Sequence, residues 1–151
     1  MPAKRFTMPV AVHLFLLRGE QVLLLRRYQT GYEDGRYSVI AGHLDGGETA
    51  IAAAVREARE EAGITLAPDA VRVVGVMHRR SNDERIDFFV AAEHWTGALT
   101  NAEPHKCDEL RWAPLDALPD TIIPYVRRAL ANFRAGRWYD SYGFGASEAA
   151  S

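Results

Sequence analysis

The sequence predicts an α+β fold, layered α/β/α about a mixed sheet. Three observations predict it: two pairs of β-like runs, each joined by a polar turn; an amphipathic helical segment between the pairs; and a second helical segment near the end of the chain. The 151 residues suit one domain, 1–151, with its core over about residues 8–136. Hydrophobic residues at 48% and charged residues at 25% are ordinary globular usage, which excludes disordered and fibrous classes. The 18 Lys and Arg against 20 Asp and Glu leave a net charge of -2, so no global positive field favours nucleic acid or an anionic membrane. Cys107 is the single cysteine and cannot form an internal disulfide. The N-terminus lacks the residue order of a signal peptide, and the apolar runs Pro9 to Leu17 and Val22 to Leu25 are too short to span a bilayer. A reducing cytoplasm is expected.

Each element has a local cause. Val10, Val12, Leu14 and Leu16 alternate with Ala11, His13 and Phe15, and Arg18-Gly19-Glu20 turns the chain into Gln21 to Arg27, a hairpin pattern. His13 reads there as a packed or hydrogen-bonded strand residue and takes no functional role. Gly31 to Gly35 is loop chemistry, and a short strand is expected over Tyr37 to Ala41. From Thr49 to Ala62 the period changes: Ile51, Val55, Ala58 and Ala62 form a stripe about 60° wide at ~100° per residue, read as the buried face of a helix. Thr49 is placed to cap its start and Gly63 to end it. After Pro68, Val71 to His78 and Ile86 to Glu93 predict a second antiparallel pair, followed by a strand over Leu110 to Ala113. Ile123, Val126, Leu130 and Phe133 space a final helix over Ile122 to Arg134, and the tail from Gly143 to Ser151 is expected to fray. His105 and Cys107 lack a second matching pair, so no structural zinc module is expected.

The chemistry concentrates on the central helix. Glu57, Glu60 and Glu61, at i, i+3 and i+4, share a face roughly 100° wide, read as opposite the apolar stripe. An isolated pattern of this kind is usually a solvated face. Here Ala50, Ala53 and Ala54 leave room beside the acids, and Gly42-His43-Leu44-Asp45-Gly46-Gly47-Glu48 feeds the helix N-terminus with a loop that lets backbone approach phosphate. Clustered carboxylates raise one another's pKa unless a cation neutralises them, and hard oxygen donors suit Mg²⁺, with Mn²⁺ able to substitute. Arg56 is placed to orient the acids by ion pairing.

Gly42, five residues, Glu48, seven residues and then Arg56-Glu57-Ala58-Arg59-Glu60-Glu61-Ala62-Gly63-Ile64 resembles the Nudix box. Two positions depart from it: Ala58 replaces a larger aliphatic residue, and Ile40-Ala41 replaces a frequent proline-glycine pair. The resemblance implies a Nudix-type sandwich, with Mg²⁺ held by Glu57, Glu60 and Glu61 and supported by Glu48 and Arg56. It also implies hydrolysis of a nucleoside diphosphate linked to another moiety, most simply a nucleoside triphosphate cleaved to monophosphate and pyrophosphate. Nucleotide sugars, dinucleoside polyphosphates, oxidised nucleotides and a non-catalytic nucleotide-sensing module stay open. The general base is assigned among Glu60, Glu61 and Glu109, Arg27 is set against substrate phosphate, Gly42 lies at the substrate loop, and Tyr32, Trp112 and Tyr125 are candidates to stack on a base. The partner is a small-molecule nucleotide; no nucleic acid or membrane is expected, and exposed strand edges leave a homodimer open.

Overall fold

A computed structural model describes residues 3–145. Two sheets meet at one hairpin tip. Strands β1 (Val10–Arg18) and β2 (Gln21–Arg27) pair only at Leu17 with Val22 and Arg18 with Gln21, and then diverge. The predicted strand over 37–41 divides at Val39 into β3 (Tyr37–Ser38), which pairs with β2, and β4 (Ile40–His43), which pairs with β1 from Ala11 to Leu14. One edge of β1 thus passes from β4 to β2 along its length, and a gap opens where those two part.

Helix α1 (Ala50–Ala62) follows β4, and β5 (Val71–Arg80) and β6 (Glu84–Ala92) form the expected antiparallel pair. Strand β6 then lies parallel to β1. Strand β7 (Cys107–Pro114) runs along the whole of β2, helix α2 (Pro124–Ala135) follows, and β8 (Tyr139–Tyr142) adds parallel to β5. The sheet is mixed and the layering is α/β/α, as the sequence predicts. Among the described residues no helix is long and apolar enough to cross a membrane.

Strand β1 is buried on both faces. Val12, Leu14 and Leu16 pack toward α1, with Leu23, Ile40 and Val90. Phe15 and Leu17 pack toward α2, with Phe89, Val126 and Leu130.

Two expectations need correction. The buried residues of α1 are Ala53, Ala54, Ala58 and Ala62, while Ile51 and Val55 are only half-buried. At ~100° per residue the alanines cover an arc of about 180° with Glu61 near its middle and Glu57 inside it. Two of the acids therefore lie on the face that packs against the sheet. Small side chains let the helix come close, which leaves room for carboxylates but none for bulk. The second is an omission: β8 had no expectation attached, and just beyond it Gly143 packs under Arg80, where a Cβ would overlap the Arg80 carbonyl. The remainder of the tail, 146–151, lies outside the described residues.

Candidate active site

Both ends of α1 are capped as predicted. Thr49 Oγ1 accepts from the Ala52 N–H at 3.0 Å, and Gly63 takes φ 67°, its N–H reaching the Ala58 and Arg59 carbonyls. The helix and the preceding loop are tied by Arg56. Its guanidinium donates to Glu48 at 2.7 and 3.2 Å, to Glu57 Oε1 at 2.8 Å and to the His43 carbonyl at 3.1 Å, and stands 3.5 Å from Glu60 Oε2. Hydrogen bonding from Arg56 holds the Glu48 carboxyl below its ordinary range.

Arg56 does not neutralise the whole cluster. Burial first, and then the charge of Glu60, push the Glu57 carboxyl up despite the guanidinium beside it. Glu61 is raised much further, by burial and then by Glu57, although the Ala41 N–H donates to its Oε2 at 3.0 Å. Gly42 has a steric role here: a Cβ at this position would overlap the Glu57 carboxylate. The glycine expected to contact substrate makes room for an acid.

These acids form one wall of a cleft of about 790 Å³ that runs through the gap where β2 and β4 part. That volume suits a nucleotide-sized ligand. Cationic side chains line it on several sides, among them Arg26, Arg27, Arg85 and Lys106. Arg27 reaches the cleft, but its Nε donates to the Tyr32 carbonyl at 2.6 Å and its Nη2 to Thr30 Oγ1 at 3.0 Å, so it also staples the loop between β2 and β3. Tyr32 lines the cleft beneath that guanidinium, 5.1 Å from ring centroid to Cζ. Of the other candidate aromatics, Tyr125 lines the cleft, whereas Trp112 stacks on Trp95 and is not part of the lining.

Glu109 also lies elsewhere. Leu110 and Trp112 of β7 pack on the α1 side and Ala113 on the α2 side, so strand alternation puts Glu109 on the face away from the helical acids. It accepts from the Tyr37 hydroxyl and is absent from the cleft lining. The acid that this part of the chain brings to the cleft is Glu103, whose charge contributes to raising Glu61. Sequence reasoning missed it, because it sits in the irregular stretch before β7.

A second part of the lining is formed by His13, Arg79 and Tyr125, of which only Tyr125 had been a candidate, while His13 is the hydrogen-bonded strand residue expected. Asp87 of β6 is fully buried; its Oδ1 lies 3.0 Å from His13 Nε2 and its Oδ2 takes the Arg79 Nε at 2.7 Å. Arg79 stacks on the Tyr125 ring at 3.6 Å and donates to Ser81 Oγ at 3.0 Å. Burial alone would push the Asp87 carboxyl up; His13 and Arg79 overcome it and hold the pKa at about 2.

A family model described as NUDIX domain matches residues 7–133. The chain belongs to the Nudix family. A putative 8-oxo-dGTP diphosphatase of Bacillus subtilis is 32% identical over 124 residues, covering 82% of this chain and 77% of that protein. An isopentenyl-diphosphate Delta-isomerase of Cereibacter sphaeroides is 32% identical over 136 residues, covering 81% and 76%. Among solved structures, a MutT NUDIX hydrolase from Burkholderia pseudomallei superposes with a TM-score of 0.73 at 25% identity, over 82% of this chain and 95% of that one. The protein is a Nudix hydrolase. Relatives of equal identity carry names for different substrates, so membership leaves the substrate open.

Nudix hydrolases generally use divalent metal ions. Among the described residues no group of three His, Cys, Asp or Glu side chains is drawn into a ready metal site. The donor set fits such an ion nevertheless. Glu57, Glu60 and Glu61 offer hard oxygen donors, the burial and then the mutual repulsion that raise Glu57 and Glu61 are what a cation would offset, and Gly42 keeps the space beside Glu57 open.

Proposed function

We propose that this protein is a Mg²⁺-dependent pyrophosphohydrolase that cleaves a nucleoside triphosphate to monophosphate and pyrophosphate, or a related nucleoside diphosphate linked to another moiety to monophosphate and the phosphate of that moiety. The observation that carries the reading is the acid pair Glu57 and Glu61, raised together although Arg56 engages Glu57, at a cleft that arginine and lysine also line. A sensing module would need the cations, but it would have no use for carboxylates held at the expense of their own ionisation.

Glu57, Glu60 and Glu61 would hold the divalent ion. When bound, that ion spreads the charge developing on phosphate oxygens and lowers the pKa of an attacking water. Arg56 fixes the orientation of Glu57 and anchors the loop from His43 to Glu48 on which substrate must rest. Arg26, Arg85 and Lys106 bring cationic groups to the cleft, each beside a carboxylate, Asp108, Asp83 and Glu103 respectively, and Arg27, through its bond to the Tyr32 carbonyl, sets the loop that borders the site. The proton of the attacking water needs a carboxylate in the cleft, and Glu60, Glu61 and Glu103 meet that condition.

The test is nucleoside monophosphate release with Mg²⁺ over a panel of nucleoside triphosphates, nucleotide sugars and dinucleoside polyphosphates, with a metal-chelated control. Release from a triphosphate that chelation abolishes is the expected result. Inorganic phosphate as the first product, or no turnover of any compound, would overturn the reading.

A further inference from the structure

Tyr125, the second residue of α2, is 8% exposed, yet its hydroxyl makes no hydrogen bond among the described residues. The unpaired side-chain polar atoms that are sealed from solvent are His13 Nδ1 and Asn101 Oδ1, and the Tyr125 oxygen is not one of them. It is therefore the open end of a buried side chain. The opening is the cleft, which Tyr125 lines. The titratable groups close enough to act on the hydroxyl are Arg79, Asp87, Tyr32 and Arg85, and three of these four line the same cleft.

The ring is held in place. The Arg79 guanidinium lies 3.6 Å from its centroid, and the His13 ring meets it edge-on at 5.5 Å. Buried to this depth under a guanidinium, the ring has no open face for a planar group to stack on, so the stacking role considered for Tyr125 gives way to a polar one. Burial, foremost, lifts the phenol well above its ordinary range although Arg79 opposes it, and the group stays an O–H. The guanidiniums near it are engaged elsewhere, Arg79 by Asp87 and Ser81 and Arg85 by Asp83 and His43. Their positive charge favours giving up the phenol proton, which makes the O–H a stronger donor.

The acids of α1 reach the cleft from one side of the sheet, and Tyr125 belongs to the core on the other. The path between them is short. Glu61 accepts from the Ala41 N–H, Ala41 pairs with His13 across the β1/β4 ladder, and the His13 ring meets Tyr125. We propose that, with the diphosphate at the α1 acids, the Tyr125 hydroxyl donates a hydrogen bond to an uncharged acceptor on the rest of the substrate, a base or sugar oxygen or nitrogen, and so helps to set specificity. The inference rests on the proposed nucleotide substrate and adds the residue that reads its non-phosphate part. Arg79 is a positioning residue here, because it holds the ring whose hydroxyl makes the contact.

The experiment measures equilibrium binding of AMP, GMP, CMP, UMP and ribose 5-phosphate, without metal, to the parent and to Tyr125→Phe, so hydrolysis plays no part. The variant keeps the ring under Arg79 and loses only the hydroxyl. Its melting temperature should be unchanged, because the hydroxyl has no partner inside the protein. Its affinity for at least one nucleotide should fall by about tenfold, since the ligand's acceptor is then left unpaired in the cleft. A loss confined to nucleotides places the acceptor on the base, and an equal loss with ribose 5-phosphate places it on the sugar; either supports the proposal. No binding by the parent, affinities within about twofold in the variant, or a clearly lowered melting temperature would overturn it, the last by showing that the hydroxyl is bonded within the fold. Loss of affinity in Tyr125→Phe without turnover of any compound by the parent would count against the proposed reaction and leave this inference standing. Turnover by the parent with unchanged affinity in the variant would do the reverse.

Discussion

The two walls of the cleft hold buried negative charge in opposite ways. Asp87 is sealed from solvent, yet its carboxyl is held at about 2, because an arginine and a histidine face it at hydrogen-bond distance. Glu61 is also largely buried, and its carboxyl is driven well up, by that burial and then by its nearest charged neighbour, another glutamate. Burial pushes both carboxyls up; compensation decides which of them stays low. A compensated carboxylate is part of the scaffold. An uncompensated one is a ligand in want of a cation, and the fold tolerates it where the chemistry requires it.

The comparison would break most visibly in stability. Asp87→Ala leaves Arg79 buried without its partner and should cost about 3–5 kcal/mol in urea unfolding. Glu61→Gln in the presence of a chelator should cost less than about 0.5 kcal/mol or stabilise, since it removes a repulsion and keeps an acceptor for the Ala41 N–H. Similar losses in both variants would erase the distinction.

Activity should respond the other way round. Glu60→Gln is expected to lower turnover by at least ~10²-fold, about 2.7 kcal/mol of barrier, with melting temperature nearly unchanged because Glu60 lies on the exposed side of α1. Parent-like turnover would remove the acidic wall from the mechanism.

A smaller effect follows from acid titration. The folded pKa of Asp87, about 2, lies below its ordinary 3.8, so ionised Asp87 favours the native state. The contribution, roughly 2 kcal/mol, is present above about pH 4 and disappears as pH falls toward about 2. Carbon-detected NMR titration of the Asp87 carboxyl should show the low midpoint; a midpoint at the ordinary value would mean that this wall is no better compensated than the other.

The smallest effect sharpens the boundary of the acidic wall. Glu103→Gln should reduce kcat by about tenfold, as loss of a cleft carboxylate near Glu61, whereas Glu109→Gln should stay within about twofold of the parent. Steady-state kinetics on both variants would settle which acid the chemistry uses, and a deep loss in Glu109→Gln alone would restore that residue to the site.

Local chemistry was legible in the sequence. Thr49 and Gly63 bound α1 where their capping preferences put them, the hairpin turn falls at Arg18 to Glu20, and the spacing from Gly42 to Glu61 marks the acidic wall. The predicted stripe holds in part: Ala58 and Ala62 are buried, and Ile51 and Val55 pack half-buried on the same core. What it missed is the width of the inner face, which extends through Ala53 and Ala54 and takes in Glu57 and Glu61. The second wall was illegible for a different reason. His13 and Asp87 are brought together by parallel pairing of β1 with β6, and no local spacing records a contact between residues so far apart in the chain. Glu109 was selected from its place in a strand, without knowledge of which face the strand would turn to α1.

That parallel pairing bears on how the protein is made. Strand β1 leaves a ribosome well before its partner β6, from Glu84 to Ala92, which emerges only after α1 and β5. Until then the β1 edge that β6 will take is unpaired, although α1 can already cover one face of β1 and β4. Long-range closure of this kind is slow, and the nascent chain stays exposed to misassociation until β6 arrives. A truncation ending before β6 should therefore be recovered as aggregate or degraded chain, however complete its Nudix box.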